Sequence, residues 1–249
     1  MRRFFVEHQL FPDDLSAISG TEARHIKTVL RMQPGDFLEL VDGSGYAYTA
    51  EIAEITDTDI HVRVHKKYPT GAEPNIRLTL AIGFLKEKKM DLLVRHLTEL
   101  GLGKFLPMIT ARSIARPPEK RIASRIDRWQ TIAKEAVKQS QRGLIPEIIR
   151  PAAFDEALEL SQHADKKIIF WENADAALPA SDAPVPDITD VFVMIGPEGG
   201  FTEKEALAAG DHGFTPLSMG PRILRAETAA IAACTLVQYL YGDIRKKSP

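Results

Sequence analysis

The chain has 249 residues, enough to bury a full core as one large domain or two modest ones, and its 44% hydrophobic and 27% charged composition is ordinary for a globular protein. No apolar run reaches the roughly 20 residues of a membrane span, MRRFFVEHQLFPDD lacks the apolar stretch of a signal peptide, and the single cysteine, Cys234, excludes a disulfide or a cysteine metal cluster within one chain. These features exclude a membrane partner and lead to the expectation of a cytoplasmic protein.

The net charge of −2 hides an asymmetry, because residues 86–150 carry 15 Lys/Arg against 7 Asp/Glu while the flanking segments are acidic. A basic block inside a mildly acidic protein is the pattern of a local polyanion-binding face.

The first 70 residues are β-rich. DFLELVDG, YAYTAEIAEIT and DIHVRVHKKY alternate or carry β-branched and aromatic residues, and DGSG and DTD mark turns between them. GTEARHIKTVLRM interrupts them as one short helix, with Ile26, Val29 and Leu30 as its apolar face. Strands this short and this closely spaced predict a small barrel. KKYPTGAEPN reads as a linker. Beyond it IRLTLAIGFL is a continuous apolar strand of the kind covered on both faces. KMDLLVRHLTELGL is a helix closed by Gly101, KFLPMIT a strand, and RIASRIDRWQTIAKEAVKQSQR a long helix. KKIIFWE and DVFVMIGPEGG are strands, TEKEALAAGDHG and RAETAAIAACTLVQYLYGDI are helices, and ALPASDAPVPDITD is a solvent-facing loop. Strands alternating with helices predict an α/β domain.

Two strand ends carry the chemistry. VFVMIGPEGGFTEKE runs an apolar strand into Gly196-Pro197-Glu198-Gly199-Gly200, where glycines permit sharp turns and close approach, and Thr202 with Glu205 forms a capping box. PLSMGPRILRAE passes from a short strand into the last helix and crowds Arg222, Arg225 and Glu227 at its mouth. Ligands of open α/β sheets bind beyond such carboxyl ends. Neither nucleotide fingerprint, G-x-x-x-x-G-K-[ST] or G-x-G-x-x-G, is present, which argues against a dehydrogenase. Of the seven histidines only His61 and His65 show a spacing that could ligate a metal, and a solvated strand face explains them better, so no metal is expected.

Together IGPEGGFTEKE and MGPRILRAETA resemble the paired signature of the RsmE family, which methylates N3 of a uridine in small-subunit (16S) ribosomal RNA. HIKTVLRMQPGD, TELG, ITARS and EAVKQSQR extend the resemblance over nearly the whole chain. Two positions depart from the family pattern: its usual QSGR is Gln139-Ser140-Gln141-Arg142 here, and its lysine before ATELG is replaced, with His96 and Leu97 in that stretch. The resemblance implies an α/β protein of two parts. A PUA-like RNA-binding β-barrel spans 1–72, and a SPOUT methyltransferase domain with a trefoil knot spans 76–249. It also implies S-adenosyl-L-methionine as cofactor, a homodimer, and ribosomal RNA or the assembled small subunit as partner. It places the cofactor on Phe170, Trp171 and Glu172, on Ile195, Gly196, Pro197, Glu198, Gly199 and Gly200, and on Leu217, Ser218, Met219, Gly220, Ile223 and Leu224, with Thr228 one helical turn on.

Uridine N3 is a poor nucleophile until its proton leaves, so positive charge near O2 or O4 would help it react. Arg225, at the positive end of the final helix, is the candidate for that charge, and Glu198 or Glu227 for the base. RNA phosphates are expected on Lys86, Lys88, Lys89, Arg112, Arg116 and Arg142, on Arg24, His25, Lys27 and Arg31 of the first helix, and on Arg222. Two alternatives stay open from the residues alone. One is methylation of another RNA or of a ribose 2′-OH; the other is a non-catalytic dimeric RNA-binding protein.

Overall fold

The computed structural model describes residues 1–114, 116, 118–177 and 188–245. The chain divides into two units, Met1–Glu73 with Val137–Ile145, and Pro74–Ala136 with Pro146–Pro249. Most of the expected loop at 177–190, namely 178–187, lies outside the described residues.

The first unit contains β1 (Arg3–Phe5), β2 (Leu15–Ile18), α1 (Gly20–Arg24), β3 (Phe37–Val41), β4 (Tyr46–Ile55) and β5 (Ile60–Pro69). Alternation buries Ile60, Val62 and Val64 of β5 and turns His61, Arg63 and His65 outward. The strand order is β1-β3-β4-β5-β2, a half-barrel with two short strands at its edges. Its core of Phe4, Leu38, Leu40, Tyr48 and Ile52 is closed by Ala23 and Ile26. Strands β1 and β2 are too short to show a period and are absent from the sequence reading.

The expected helix over 20–32 is corrected in its winding. From His25 to Leu30 it is a π-helix, ending at Arg31 in the left-handed region with φ 52. The wider turn keeps Leu30 against the core with Ile26 but swings Val29 out to 68% exposure. The linker also starts later than KKYPTGAEPN suggests, because β5 runs to Pro69.

The linker residue Glu73 ties the returning segment to the first unit. Its Oε1 accepts from the backbone N–H of Gly143 (2.7 Å) and Leu144 (2.9 Å), and its Oε2 from Arg142 Nη2 (2.8 Å). Lys138 Nζ lies 2.6 Å from Glu22 Oε1.

The second unit contains β6 (Arg77–Gly83), α2 (Glu87–Glu99), β7 (Lys104–Ile109), the start of α3 (Ile122–Ser140), β8 (Glu147–Ile148), β9 (Ala152–Ala153), α4 (Phe154–Leu160), β10 (Lys166–Phe170), β11 (Asp190–Ile195), α5 (Glu203–Asp211), β12 (Thr215–Leu217) and α6 (Ala226–Leu240). Helix α4 and the two-residue strands have no counterpart in the sequence reading. The sheet order is β12-β10-β11-β6-β7-β8, with β9 beside β7, and every pairing is parallel. Five consecutive residues of β11, Val191 to Ile195, are buried, as helices on both faces require.

Two helices here end alike. Gly101, with φ 85, follows α2 and lets Leu102 N donate to Leu97 O (2.9 Å). Gln141 follows α3 with φ 62, and Arg142 N donates to Val137 O (3.1 Å). Both are Schellman closures, whose left-handed residue is normally glycine. Gln141 is thus strained at the position where the family pattern has glycine. Gln141→Gly is expected to raise unfolding stability by about 0.5–1 kcal/mol, read as a higher urea midpoint. Cys234 is fully buried and its thiol is pushed up to about 12 by burial. Iodoacetamide at pH 8 is therefore expected to label it only after unfolding.

Candidate functional site

A parallel sheet directs all its carboxyl ends to one edge. There β10 ends at Phe170, β11 at Ile195 and β12 at Leu217, and the three following loops line a cavity of about 710 Å³. The loops are laced to each other through backbone groups. Trp171 N donates to Leu217 O (3.0 Å) and Ser218 N to Ala176 O (2.7 Å). Helix α6 begins on the same cavity, with Arg225 at its N-cap and its first unpaired N–H groups behind it.

The loop after β11 is shaped by close approaches. Gly200 has φ 68, and its N–H closes a turn onto Pro197 O (2.9 Å). A Cβ on Gly200 would stand 2.5 Å from Glu172 Oε1. The capping box is present: Glu205 N donates to Thr202 Oγ1 (3.2 Å), and Thr202 N donates to Glu205 Oε2 (2.8 Å). Gly83, at the end of β6, makes room for the loop from below, since a Cβ there would lie 2.3 Å from Pro197 N. The only sequence signal for Gly83 was a glycine closing an apolar strand.

The expected cofactor residues gather here. Phe170, Trp171, Glu172, Ile195, Gly196, Pro197, Glu198, Gly199, Gly200, Ser218, Met219, Gly220, Ile223 and Leu224 all line the cavity. Leu217 and Thr228 do not: Leu217 is buried beneath the loop, and Thr228 is exposed away from it. The sequence reading missed Ala174, Asp175, Ala177, Phe201, Ala226 and Ala229 of the lining. Small residues on the first turns of α6 leave the space, and no local pattern announces that. Gly196 needs its missing side chain for the loop itself, because a Cβ would stand 2.9 Å from the Gly200 carbonyl carbon. A bulky residue there would distort the turn before it met any ligand.

The catalytic candidates separate. Arg225 and Glu198 line the cavity, whereas Glu227 does not. Lys89 Nζ stands between the two glutamates, 3.0 Å from Glu198 Oε1 and 3.1 Å from Glu227 Oε2. Burial works to raise the Glu227 pKa, but its own backbone N–H, Lys89 and Arg225 together hold it below the usual carboxylate range. The Glu198 hydrogen bond holds Lys89 above its ordinary value.

The expected phosphate contacts divide. Arg142 is corrected: it is 3% exposed and committed to Glu73, because a buried guanidinium needs a paired carboxylate. Lys89 is occupied by the two glutamates. Arg112 Nη1 donates to Gly199 O (2.9 Å) and Phe201 O (3.2 Å), bracing the cavity loop. Lys27 Nζ donates to Thr56 O (2.6 Å) and Asp57 O (3.0 Å). Arg24, His25, Arg31, Lys86, Lys88, Arg116 and Arg222 are exposed. Phe84 and Trp129 are core residues with ring centroids 6.1 Å apart. Gly83→Ala is expected to displace the Pro197 turn and cost about 1–3 kcal/mol, read as a melting temperature several degrees lower.

Among the described residues no group of acidic, histidine or cysteine side chains could hold a metal, and no helix is long and apolar enough to cross a membrane. Residues 72–238 match the model of an RNA methyltransferase domain, and residues 18–64 that of an RNA methyltransferase PUA domain. The chain is 30% identical to the ribosomal RNA small subunit methyltransferase E of Bacillus subtilis, over 98% of this chain and 100% of the relative. Among solved structures, a Neisseria gonorrhoeae ribosomal RNA small subunit methyltransferase E bound to S-adenosyl methionine is 32% identical. It superposes with a TM-score of 0.87 over 98% of this chain and 99% of that one. A Legionella pneumophila methyltransferase in complex with its bound cofactor SAM has a TM-score of 0.85 at 32% identity, over 97% of this chain and 98% of that one. The fold, the cavity and these matches agree: the chain belongs to the ribosomal RNA small subunit methyltransferase E family.

Proposed function

We propose that this protein methylates N3 of a specific uridine in 16S ribosomal RNA, using S-adenosyl-L-methionine. The observation that carries the reading is the cavity at the ends of β10, β11 and β12, rimmed by Arg225 and Glu198, in a member of this family. The relatives crystallised with the same cofactor support its use here. Residues 1–72 are assigned to RNA binding, and 76–249, with a trefoil knot, to methyl transfer. The protein acts in the cytoplasm as a homodimer. Leu236 and Tyr239 of α6, 37% and 40% exposed on a helix that is apolar over most of its circumference, are consistent with a second copy packing there.

The residues present fit the cofactor. The volume suits a molecule of that size, and the Gly196 turn closes on itself so tightly that a Cβ would fill it. Trp171 Nε1 is buried beside the cavity with no hydrogen-bond partner among the described residues. Phe170, Trp171 and Ile195 offer an apolar wall, and Glu172 and Asp175 a negative one suited to a cation. When bound, the cofactor supplies a methyl group on a sulfonium, whose carbon–sulfur bond breaks as the bond to N3 forms. Arg225 holds the negative charge that develops on the uracil oxygens as N3 loses its proton. Glu198, the glutamate on the cavity wall, accepts that proton. Exposed Arg24, His25, Arg31, Lys86, Arg116 and Arg222 hold RNA phosphates.

The reading is tested with labelled S-adenosyl-L-methionine and small ribosomal subunits from cells lacking this gene, followed by nucleoside analysis. Labelled N3-methyluridine is the expected product. Label on another nucleoside or on ribose would overturn the substrate assignment, and no cofactor binding would overturn the enzyme assignment. Arg225→Ala is expected to lower kcat at least about 100-fold while the cofactor Kd changes less than about threefold. Calorimetry and single-turnover transfer separate the two.

A further inference from the structure

We infer that Lys89 is a positioning residue for the methyl transfer, a cation that aims Glu198 into the cavity from an anchor on Glu227. The inference rests on the reading of Glu198 as proton acceptor given above.

The sequence around Lys89 is unfavourable to a helix start. Lys86 is the N-cap of α2, and Glu87, Lys88 and Lys89 follow in the first turn, so three cations against one carboxylate stand at the positive end of the helix dipole. Carboxylates from elsewhere in the chain offset that excess. Glu198 comes from the loop after β11 and Glu227 from the first turn of α6, and both reach the same ammonium. Lys89 therefore joins three elements that are remote in sequence.

The two carboxylates are not equivalent. Glu227 is 18% exposed, stands off the cavity wall, and is held ionised at the positive end of α6. It holds the ammonium as a charge pair at 3.1 Å, with no hydrogen bond to its Oε2 among the described residues. Glu198 is 36% exposed, lines the cavity, and gives only Oε1 to Lys89. Its Oε2 has no partner among the described residues, so an acceptor oxygen remains free on a residue of the cavity wall. Without the ammonium, Glu198 would lose its one side-chain partner among the described residues, and nothing on α2 would fix its carboxylate.

Lys89 reaches both carboxylates from α2, and Arg225 acts on Glu227 from the start of α6. Glu172 stands beside Gly200, and Arg112 holds Gly199 O, next to Glu198 in the same loop. Lys89 is the one of these that touches both glutamates.

The experiment follows kcat and KM for methyl transfer to the small subunit at neutral pH. It compares the unaltered protein with Lys89→Met, Lys89→Arg and Glu227→Gln, alongside cofactor Kd and melting curves. Lys89→Met is expected to lower kcat about 10- to 100-fold at pH 7. Its cofactor Kd and RNA KM are expected to stay within about threefold of the unaltered values. Lys89→Arg is expected to restore kcat, and Glu227→Gln to lower kcat by a smaller amount. If Lys89→Met does not fold, Glu227→Gln reads the same chain from its other end. An unchanged kcat in Lys89→Met, or in Glu227→Gln when that variant must stand in for it, would overturn the inference, and so would a kcat that Lys89→Arg fails to restore. So would a loss confined to RNA KM with a shallower salt dependence, which would make Lys89 a phosphate contact. Absence of methyl transfer in the unaltered protein would instead overturn the functional reading beneath it.

Discussion

Everything in the site depends on the seven strands of the second unit running parallel. Parallel strands need crossovers, the crossovers are helices, and the helices leave all the strand ends on one edge. The loops after Phe170, Ile195 and Leu217 therefore meet, although 47 residues separate the first from the last. Burial on both faces makes the strands continuous apolar runs, and this rigid base fixes the loops to within hydrogen-bond distances such as Ser218 N to Ala176 O. The cavity is the space the loops cannot fill. Small residues preserve it: Gly83 beneath Pro197, Gly200 beside Glu172, and Ala226 and Ala229 on α6.

Electrostatics then acts on that frame. Helix α6 presents its positive end to the cavity, and Arg225 adds a full charge to it. Glu227, which does not line the cavity, offsets this charge, while Glu198 stays on the wall. Lys89 pairs with both carboxylates. Glu227 carries a depressed pKa, so its share of this arrangement is present above the ordinary glutamate value and is lost as pH falls through the lowered one. The same logic governs the first unit. Glu39 is drawn upward by burial but held below its usual range by hydrogen bonds from Arg3 and Tyr68, which fastens β1 and β5 to β3.

Long elements with a strong period were legible. The apolar run of β11, the Thr202–Glu205 capping box, the close of α2 at Gly101 and the paired GPEGG and GPRILRAE loops all stood in the sequence. Short elements were not, because three residues of β1 or two of β9 carry no period. Val29 misled for a different reason. Its spacing from Ile26 fits an α-helix, and only packing against the half-barrel selects the wider π-turn that exposes it.

Charge type was visible in the sequence, but charge partner was not. Arg142 and Lys89 read as members of a basic block suited to phosphate. Arg142 is buried against Glu73, and Lys89 is paired with Glu198 and Glu227, all glutamates remote along the chain. Sequence by itself determined the alternation of strands and helices, the two glycine-bearing loops and the family to which they point, because periodicity, capping and turn chemistry are local. The tertiary structure alone decided which glutamate faces the cavity, which cations are spent on ion pairs, and where a missing Cβ holds space open. Those depend on distances between residues that only the folded sheet brings together.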